Sequence, residues 1–312
     1  MTKKYYLMMC VWCMTVFTVH PAQRTPQRLS TWFNKQAHED VVTREYSLEQ
    51  PGTLTVTNPY GTITIKAEWN QNSIIASAKK RSPSLEHLGS IRIDEQRTGK
   101  HDLALSVVLP ANKELAKKDM PTVNLDIVVP VKTQLKLATT HGAIVTDNVH
   151  GNVWATTTRG PITLDNTKGM IVAETHDNAH IKITQAQGNV KATTLKGGIH
   201  IHDAKGSIMA STEKGPIEIH CKHVPAIGKV CAHAGTGNIH VHLPTNTNAE
   251  LQARTDRGCV MSDHLITVKP FTTQWNRQTW KKIRKEVYGT LGTGEAQIDL
   301  RCRSGNITIA KK

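Results

Sequence analysis

Three stretches of the chain place paired ligand-type residues at a fixed distance behind a glycine: "GGIHIHD", "GPIEIHC" and "GNIHVHL". Counted from Gly197, Gly215 and Gly237, the residues His200, Glu218 and His240 share position +3, and His202, His220 and His242 share position +5. Nine of the 16 histidines fall between His176 and His242. Residues two apart on a strand point to one face about 6.6 Å apart, and stacked strands lie about 4.8 Å apart. If the three stretches stack in register, they predict an exterior grid of five His and one Glu. Imidazole nitrogens and a carboxylate at such spacing coordinate zinc, nickel or copper. The same grid would respond to pH, because stacked imidazoles repel when protonated. The competing reading is a solvated ladder with nothing holding any ring in place. A transition metal is the one cofactor this pattern suggests.

A second cluster mixes aromatic and basic residues. "FTTQWNRQTWKKIRKEVYG" carries Trp275, Arg277, Trp280, Lys281, Lys282, Arg284 and Lys285. Trp280, Ile283 and Val287 have i, i+3, i+7 spacing, which predicts a short amphipathic helix. Basic residues among aromatics suit an anionic surface, while the apolar side suits a cap over the end of a stack. Signs of catalysis are few. The chain has no G-x-S-x-G, H-E-x-x-H or phosphate loop. Asp165 and Asp203 read as lacking a carboxylate at the equivalent position of a neighbouring repeat. A non-enzymatic protein is expected.

The elements that must position these residues are written in the glycine spacing. Gly142, Gly151, Gly160 and Gly169 are nine apart, as are Gly188, Gly197, Gly206 and Gly215. Asn178 falls where a glycine is due, and Asn tolerates left-handed backbone. Alternate nine-mers differ: "GNVWATTTR", "GMIVAETHD", "GNVKATTLK" and "GSIMASTEK" against "GPITL", "GGIHI" and "GPIEI". The unit is therefore two short alternating strands in about 18 residues, which cannot bury its apolar face alone and must stack on its neighbours. This predicts an all-β, right-handed parallel β-helix or β-solenoid, glycine supplying the positive φ of each corner. Calcium-binding rolls share the spacing, but the second glycine and aspartate of their repeat are missing here. The pattern runs on through "VCAHAGTGNIHV", "LQARTDRGCV" and "LRCRSGNITI", where Cys302 takes the inward Thr position. Residues 51–131 have longer strands and read as a β-rich cap. Residues 132–312 form the repeat region, continuous with the cap.

The N-terminus resembles an export signal. Lys3 and Lys4 precede 15 uncharged residues, Tyr5 to Val19, too few to span a bilayer comfortably. Cleavage near Ala22 makes 1–22 a signal peptide, with an uncleaved anchor as the alternative, and 23–50 reads as a polar linker. Export leaves Cys221, Cys231, Cys259 and Cys302, which permit two disulfides or serve as small buried hydrophobes. The formal net charge is +14. It favours an anionic envelope glycan or membrane headgroup over nucleic acid as partner, with another protein also possible.

The segments "VTNPYGTITIKAEW", "IVVPVKTQLKLATTHGAI", the A-x-T-x-x-G-x-I coils, "IHVHLP" and "GTGEAQIDLRCRSGNITI" resemble, in order and spacing, the adhesin-related, GIN-head-like β-strand repeat family of bacterial envelope domains. The resemblance covers Pro51 to Lys312. It implies a β-helix-like fold and an envelope-associated role, and it brings no catalytic residues. The chain is expected to be an exported structural or adhesion-like module of the periplasm, envelope or cell exterior. The alternative is a ligand-binding module for a transition metal or an anionic glycan.

Overall fold

A computed structural model of the chain describes residues 37–47, 52–69, 73–110, 120–268 and 285–312. The chain divides into units Met1–Lys35 and Gln36–Lys312, and the described residues all belong to the second. The expected signal peptide 1–22 and most of the linker lie outside them.

The strands in chain order are β1 (His38–Ser47), β2 (Thr53–Tyr60), β3 (Ile63–Glu68), β4 (Ser73–Ser82), then the only described helix, α1 (Leu85–Ser90). There follow β5 (Arg92–Thr98), β6 (Asp102–Val108) and β7 (Thr122–Pro130). Five coils of two strands each come next: β8 (Gln134–His141) and β9 (Ile144–Asp147), β10 (Val153–Arg159) and β11 (Ile162–Asp165), β12 (Ile171–Asn178) and β13 (Ile181–Thr184), β14 (Val190–Lys196) and β15 (Ile199–Ala204), and β16 (Ile208–Lys214) and β17 (Ile217–Cys221). The sixth is β18 (Lys229–Thr236) and β19 (Ile239–Leu243). The chain finishes with β20 (Ala249–Arg257), β21 (Val260–Ser262), β22 (Thr267–Val268), β23 (Glu286–Leu291), β24 (Ala296–Ser304) and β25 (Ile307–Lys311).

Each coil gives one strand to each of two sheets. The first sheet runs β1-β4-β7-β3-β9-β11-β13-β15-β17-β19-β25-β21, and the second β22-β23-β20-β24-β18-β16-β14-β12-β10-β8-β2-β6-β5. Neighbouring coils are parallel and in register: Val153 lies opposite Ile171, Ile171 opposite Val190, and Val190 opposite Ile208. Alternation decides what is buried. The row Ile162, Ile181, Ile199, Ile217, Ile239, Ile307 of the first sheet and the row Ala155, Ala173, Ala192, Ala210, Ala232 of the second belong to one hydrophobic core. Each fully buried Ile contributes about 1.5–3 kcal/mol, which is what holds rung to rung.

The corners have two different reasons for glycine. At Gly215 the backbone is left-handed, with φ +147, and a Cβ there would overlap the carbonyl oxygen of Gly197 on the next rung. Gly206 is not left-handed, yet its Cβ would overlap the carbonyl of Gly188. That second row needs only the space. Among the described residues, Asn148, Asn166, Gln185 and Asp203 are left-handed without being glycine, so glycine is not what turns every corner. The irregular coil is also resolved: Ala179, not Asn178, takes the corner place, stacked beneath Gly197, and the ladder shifts by one residue between Thr175 and Asn178.

Inward threonines seal the corners. Thr157 donates to the carbonyl of Gly142 at 3.3 Å, Thr194 to Ala179 at 3.2 Å and Thr212 to Gly197 at 3.2 Å. Cys302 takes the same place, its Sγ 3.1 Å from the Gly237 oxygen. Cys221, Cys231 and Cys302 are buried thiols, the small-hydrophobe reading of these residues.

Two boundaries differ from the sequence reading. β2 and β3, expected in an irregular cap, form a full coil in register with β8 and β9. His38–Ser47, expected in the linker, is β1, antiparallel to β4. As an edge strand it is exposed along nearly its whole length, so it lacks the one-sided apolar pattern that marks a strand. Tyr46 of β1 donates to Glu95 Oε1 of β5 at 2.8 Å, and Arg44 pairs with the same carboxylate.

The coils do not stack in the order of the chain. β24 lies between β18 and β20, and β25 between β19 and β21. At the other end β2 lies between β8 and β6, and β3 between β9 and β7. The first and last coils of the described chain thus each sit one place inside the stack. Among the described residues no helix is long and apolar enough to cross a membrane.

Candidate functional site

β15, β17 and β19 are adjacent strands of the first sheet. Ile199, Ile201, Ile217, Ile219, Ile239 and Val241 point inward and are fully buried, which obliges the residues between them to face out. The register is the expected one: His200 lies opposite Glu218 and Glu218 opposite His240, while His202 lies opposite His220 and His220 opposite His242. Lys182 and Thr184 flank the grid on one side, and Thr308 and Ala310 on the other.

The side chains make a connected cluster. The His202 and His220 rings stack at 4.2 Å between centroids, and His220 and His242 at 4.0 Å. Glu218 accepts from His220 Nε2 at 2.7 Å through Oε1 and from His200 Nδ1 at 3.0 Å through Oε2. A Cβ at Gly198 would come 3.0 Å from His200 Nε2, so that glycine gives the His200 ring its seat. All six residues are half-buried. His202, Glu218 and His220 can each offer a ligand atom within 4.8 Å of the other two. His240 stands beside Glu218 in register.

The hydrogen bond from His220, seconded by His200, holds the Glu218 carboxyl down to about 2. Burial lowers His202, and the facing His220 adds to this, His200 more weakly, against the opposing pull of Glu218 and Asp203. His242 is lowered by burial and then by His220, with His240 and His202 adding and Glu218 opposing. An imidazole lowered in the fold leaves the unfolded chain to take up protons first. The stability is therefore full above about 6.5 and is lost as the pH falls from there toward the folded value. The Glu218 contribution is full above about 4.5 and is lost as the pH falls from there toward about 2. Thermal melts of chelator-treated protein should be flat from about pH 8 to 7 and fall toward pH 5. In the variant carrying His202→Ala and His242→Ala that fall should be shallower. An unchanged profile would remove the ladder as its source.

Of the aromatic–basic segment, residues 271–284 lie outside the described residues; Lys285 is described, and its Nζ donates to the Asp256 carbonyl at 3.0 Å. Val287, the last residue of the expected helical spacing, belongs to β23, antiparallel to β20, and Trp280 and Ile283 lie outside the described residues. Asp165 does have a carboxylate neighbour, Asp147, directly opposite it on the next rung, which the sequence reading overlooked.

A row of basic residues along one edge of the stack was also missed. The turn amides of His150, Lys168, Gln187, Lys205 and Lys222 donate to the carbonyls of Val131, Val149, Thr167, Ala186 and Ala204. Each carbonyl belongs to the residue before the equivalent position of the preceding coil. The row is therefore Lys132, His150, Lys168, Gln187, Lys205, Lys222, one residue per coil, and all but His150 are exposed. The signal was present, because most of these residues stand just before a corner glycine. Elsewhere His233, Arg301 and Arg254 are neighbours on the second sheet. There Asp299 lies 2.9 Å from Arg301, and Asp256 lies 3.6 Å from Arg254, so that row is charge-balanced.

Comparison with solved structures finds a "putative cell adhesion protein" of Clostridium sporogenes, 13% identical, over 89% of this chain and 100% of that one, with a TM-score of 0.26. A "putative lipid binding protein" of Parabacteroides distasonis is 11% identical over 88% and 97%, with a TM-score of 0.39. A "putative adhesin" of Bacteroides fragilis is 11% identical over the same shares, with a TM-score of 0.27. Comparison with curated proteins finds no match. The Toastrack DUF4097 family matches residues 33–310, nearly all of the two-sheet stack and the segments that carried the resemblance to a β-strand repeat family. The chain is a member of the Toastrack DUF4097 family.

Proposed function

We propose that this chain is an exported, non-enzymatic interaction module of the cell envelope, structural or adhesion-like in role, whose partner is an anionic glycan. The observation that carries this reading is the exposed lysines Lys132, Lys168, Lys205 and Lys222, which fill four of the six places in the row that sets one residue on each coil. Rungs about 4.8 Å apart place Lys168 and Lys205, two rungs from each other, about 9.6 Å apart. A rigid line of cations at whole multiples of one rung suits a linear polyanion, which carries its charges at a regular pitch. The net charge of +14 works in the same direction by drawing anions to the surface. The long registered faces supply a scaffold that holds this pitch without rearrangement.

The test is binding of the full chain to an immobilised linear polyuronate, with dextran as the neutral comparison. Binding should be selective for the polyuronate and weaken steeply as salt is raised. Replacing Lys168, Lys205 and Lys222 by Glu should weaken it by about tenfold or more. Equal binding to dextran, or no effect of the three substitutions, would sink the reading. New reducing or unsaturated ends would replace it with a catalytic one.

A further inference from the structure

We propose that His202, Glu218 and His220 form a binding site for one borderline divalent metal ion, Zn2+, Ni2+ or Cu2+, with His200 positioning the carboxylate. The site shares no residue with the lysine edge, and the two readings stand or fall separately.

The donor set fits this class of ion. Two imidazoles and a carboxylate from three side chains leave a fourth position for water, as in open tetrahedral sites. Glu218 is already oriented: one oxygen is tied to His200 Nδ1 and the other faces His220 Nε2. A metal entering between His220 and Glu218 would take the place of the proton now shared by that pair, and the neutral ring would then carry its one proton on Nδ1. The second bond, from His200, then serves as the outer support that ligating carboxylates require. Asp203 is drawn off to Lys312 Nζ at 2.8 Å and does not join the set.

The geometry must tighten, and it has room to do so. Donors around a tetrahedral zinc lie about 3.4 Å apart, whereas the widest separation here is bounded by 4.8 Å. Stacked rings 15° from parallel aim their lone pairs side by side, so one ring has to turn for both to meet a single ion. Both rings stand on the outer face of the sheet and are half-buried, where such a turn displaces only water and the neighbouring ring. What is given up is stacking, chiefly of His220 on His242. His242 is therefore a ring neighbour and not a ligand.

The experiment is calorimetric titration of the full chain, first treated with chelator, with Zn2+ and then Ni2+ at neutral pH. The wild-type chain should show a stoichiometric step. Glu218→Gln, His220→Ala and His202→Ala should each weaken it by at least about tenfold, and His200→Ala by less. His242→Ala should leave it in place. His233→Ala, on the other sheet, is the control for diffuse histidine binding. Because all these side chains face out, unchanged circular dichroism will certify each variant. In the wild type, metal should also displace the histidine ring resonances of His202 and His220 in NMR spectra, a readout separate from heat. Identical titrations for wild type and the His202, Glu218 and His220 variants would overturn the proposal, as would an equal loss in His233→Ala.

Discussion

A chain ending at residue 295 is expected to lose the folded state of its whole C-terminal region instead of merely being shortened. β24 and β25 fill the slot between the coil of β18 and β19 and the coil of β20 and β21. Their removal takes Ile298, Leu300, Ile307 and Ile309 out of the core, all of them 0–1% exposed. At about 1.5–3 kcal/mol for each buried aliphatic, roughly 6–12 kcal/mol of burial is lost. That equals most of the 5–15 kcal/mol by which a typical domain is stable. The truncation also strands the inward faces of Val230, Ala232, Leu251 and Ala253, which now meet that coil. Limited proteolysis should find new cleavage throughout 229–262, and the thermal transition should broaden or vanish. A truncated chain that melts within a few degrees of the full one would mean that the outer coil closes directly onto β18 and β19.

The second large effect belongs to a single atom. Gly215→Ala places a methyl group on a left-handed residue and drives it into the Gly197 carbonyl. Strain at positive φ costs about 1–3 kcal/mol and overpacking against fixed backbone about 1–3 more. The carbonyl cannot retreat, because it also accepts from Thr212 at 3.2 Å within the stack. Together these should lower the melting temperature by on the order of ten degrees. Gly89→Ala is the comparison. It lies in α1 with nothing within 4 Å of an added Cβ, so it should be neutral or stabilising by up to about 1 kcal/mol. Similar melting temperatures for the two variants would show that the corner is softer than its geometry implies.

Much of this molecule is legible in its residues. The repeat of about 18, the inward Ile and Ala rows, the Cys302 substitution for Thr and the pairing of His202, His220 and His242 all follow from counting behind glycines. What is not legible has physical causes. Every coil presents the same backbone ladder, so the repeat does not say which coil is whose neighbour, and the place of β24 and β25 stays hidden. The Asn178 position misleads because an extra residue shifts the corner to Ala179. At Val287 alone, the described end of the helical spacing, the backbone is taken up by antiparallel pairing of β23 with β20. The basic edge escapes because its residues belong to turns, where neither a period of two nor one of 3.6 applies.

The tucked position of the last coil has a consequence in time. During synthesis or refolding, the edge left open by β18 and β19 meets residues 249–262 before it meets 296–311. Both segments carry the same inward pattern, Ala253, Thr255 and Gly258 in one and Leu300, Cys302 and Gly305 in the other. The nearer segment has the shorter loop to close, at the smaller entropic cost. In the native arrangement that segment lies on the far side of the final strands. Two like segments thus compete for one edge, and a first docking of 249–262 on β18 and β19 would have to be undone before β24 and β25 could enter.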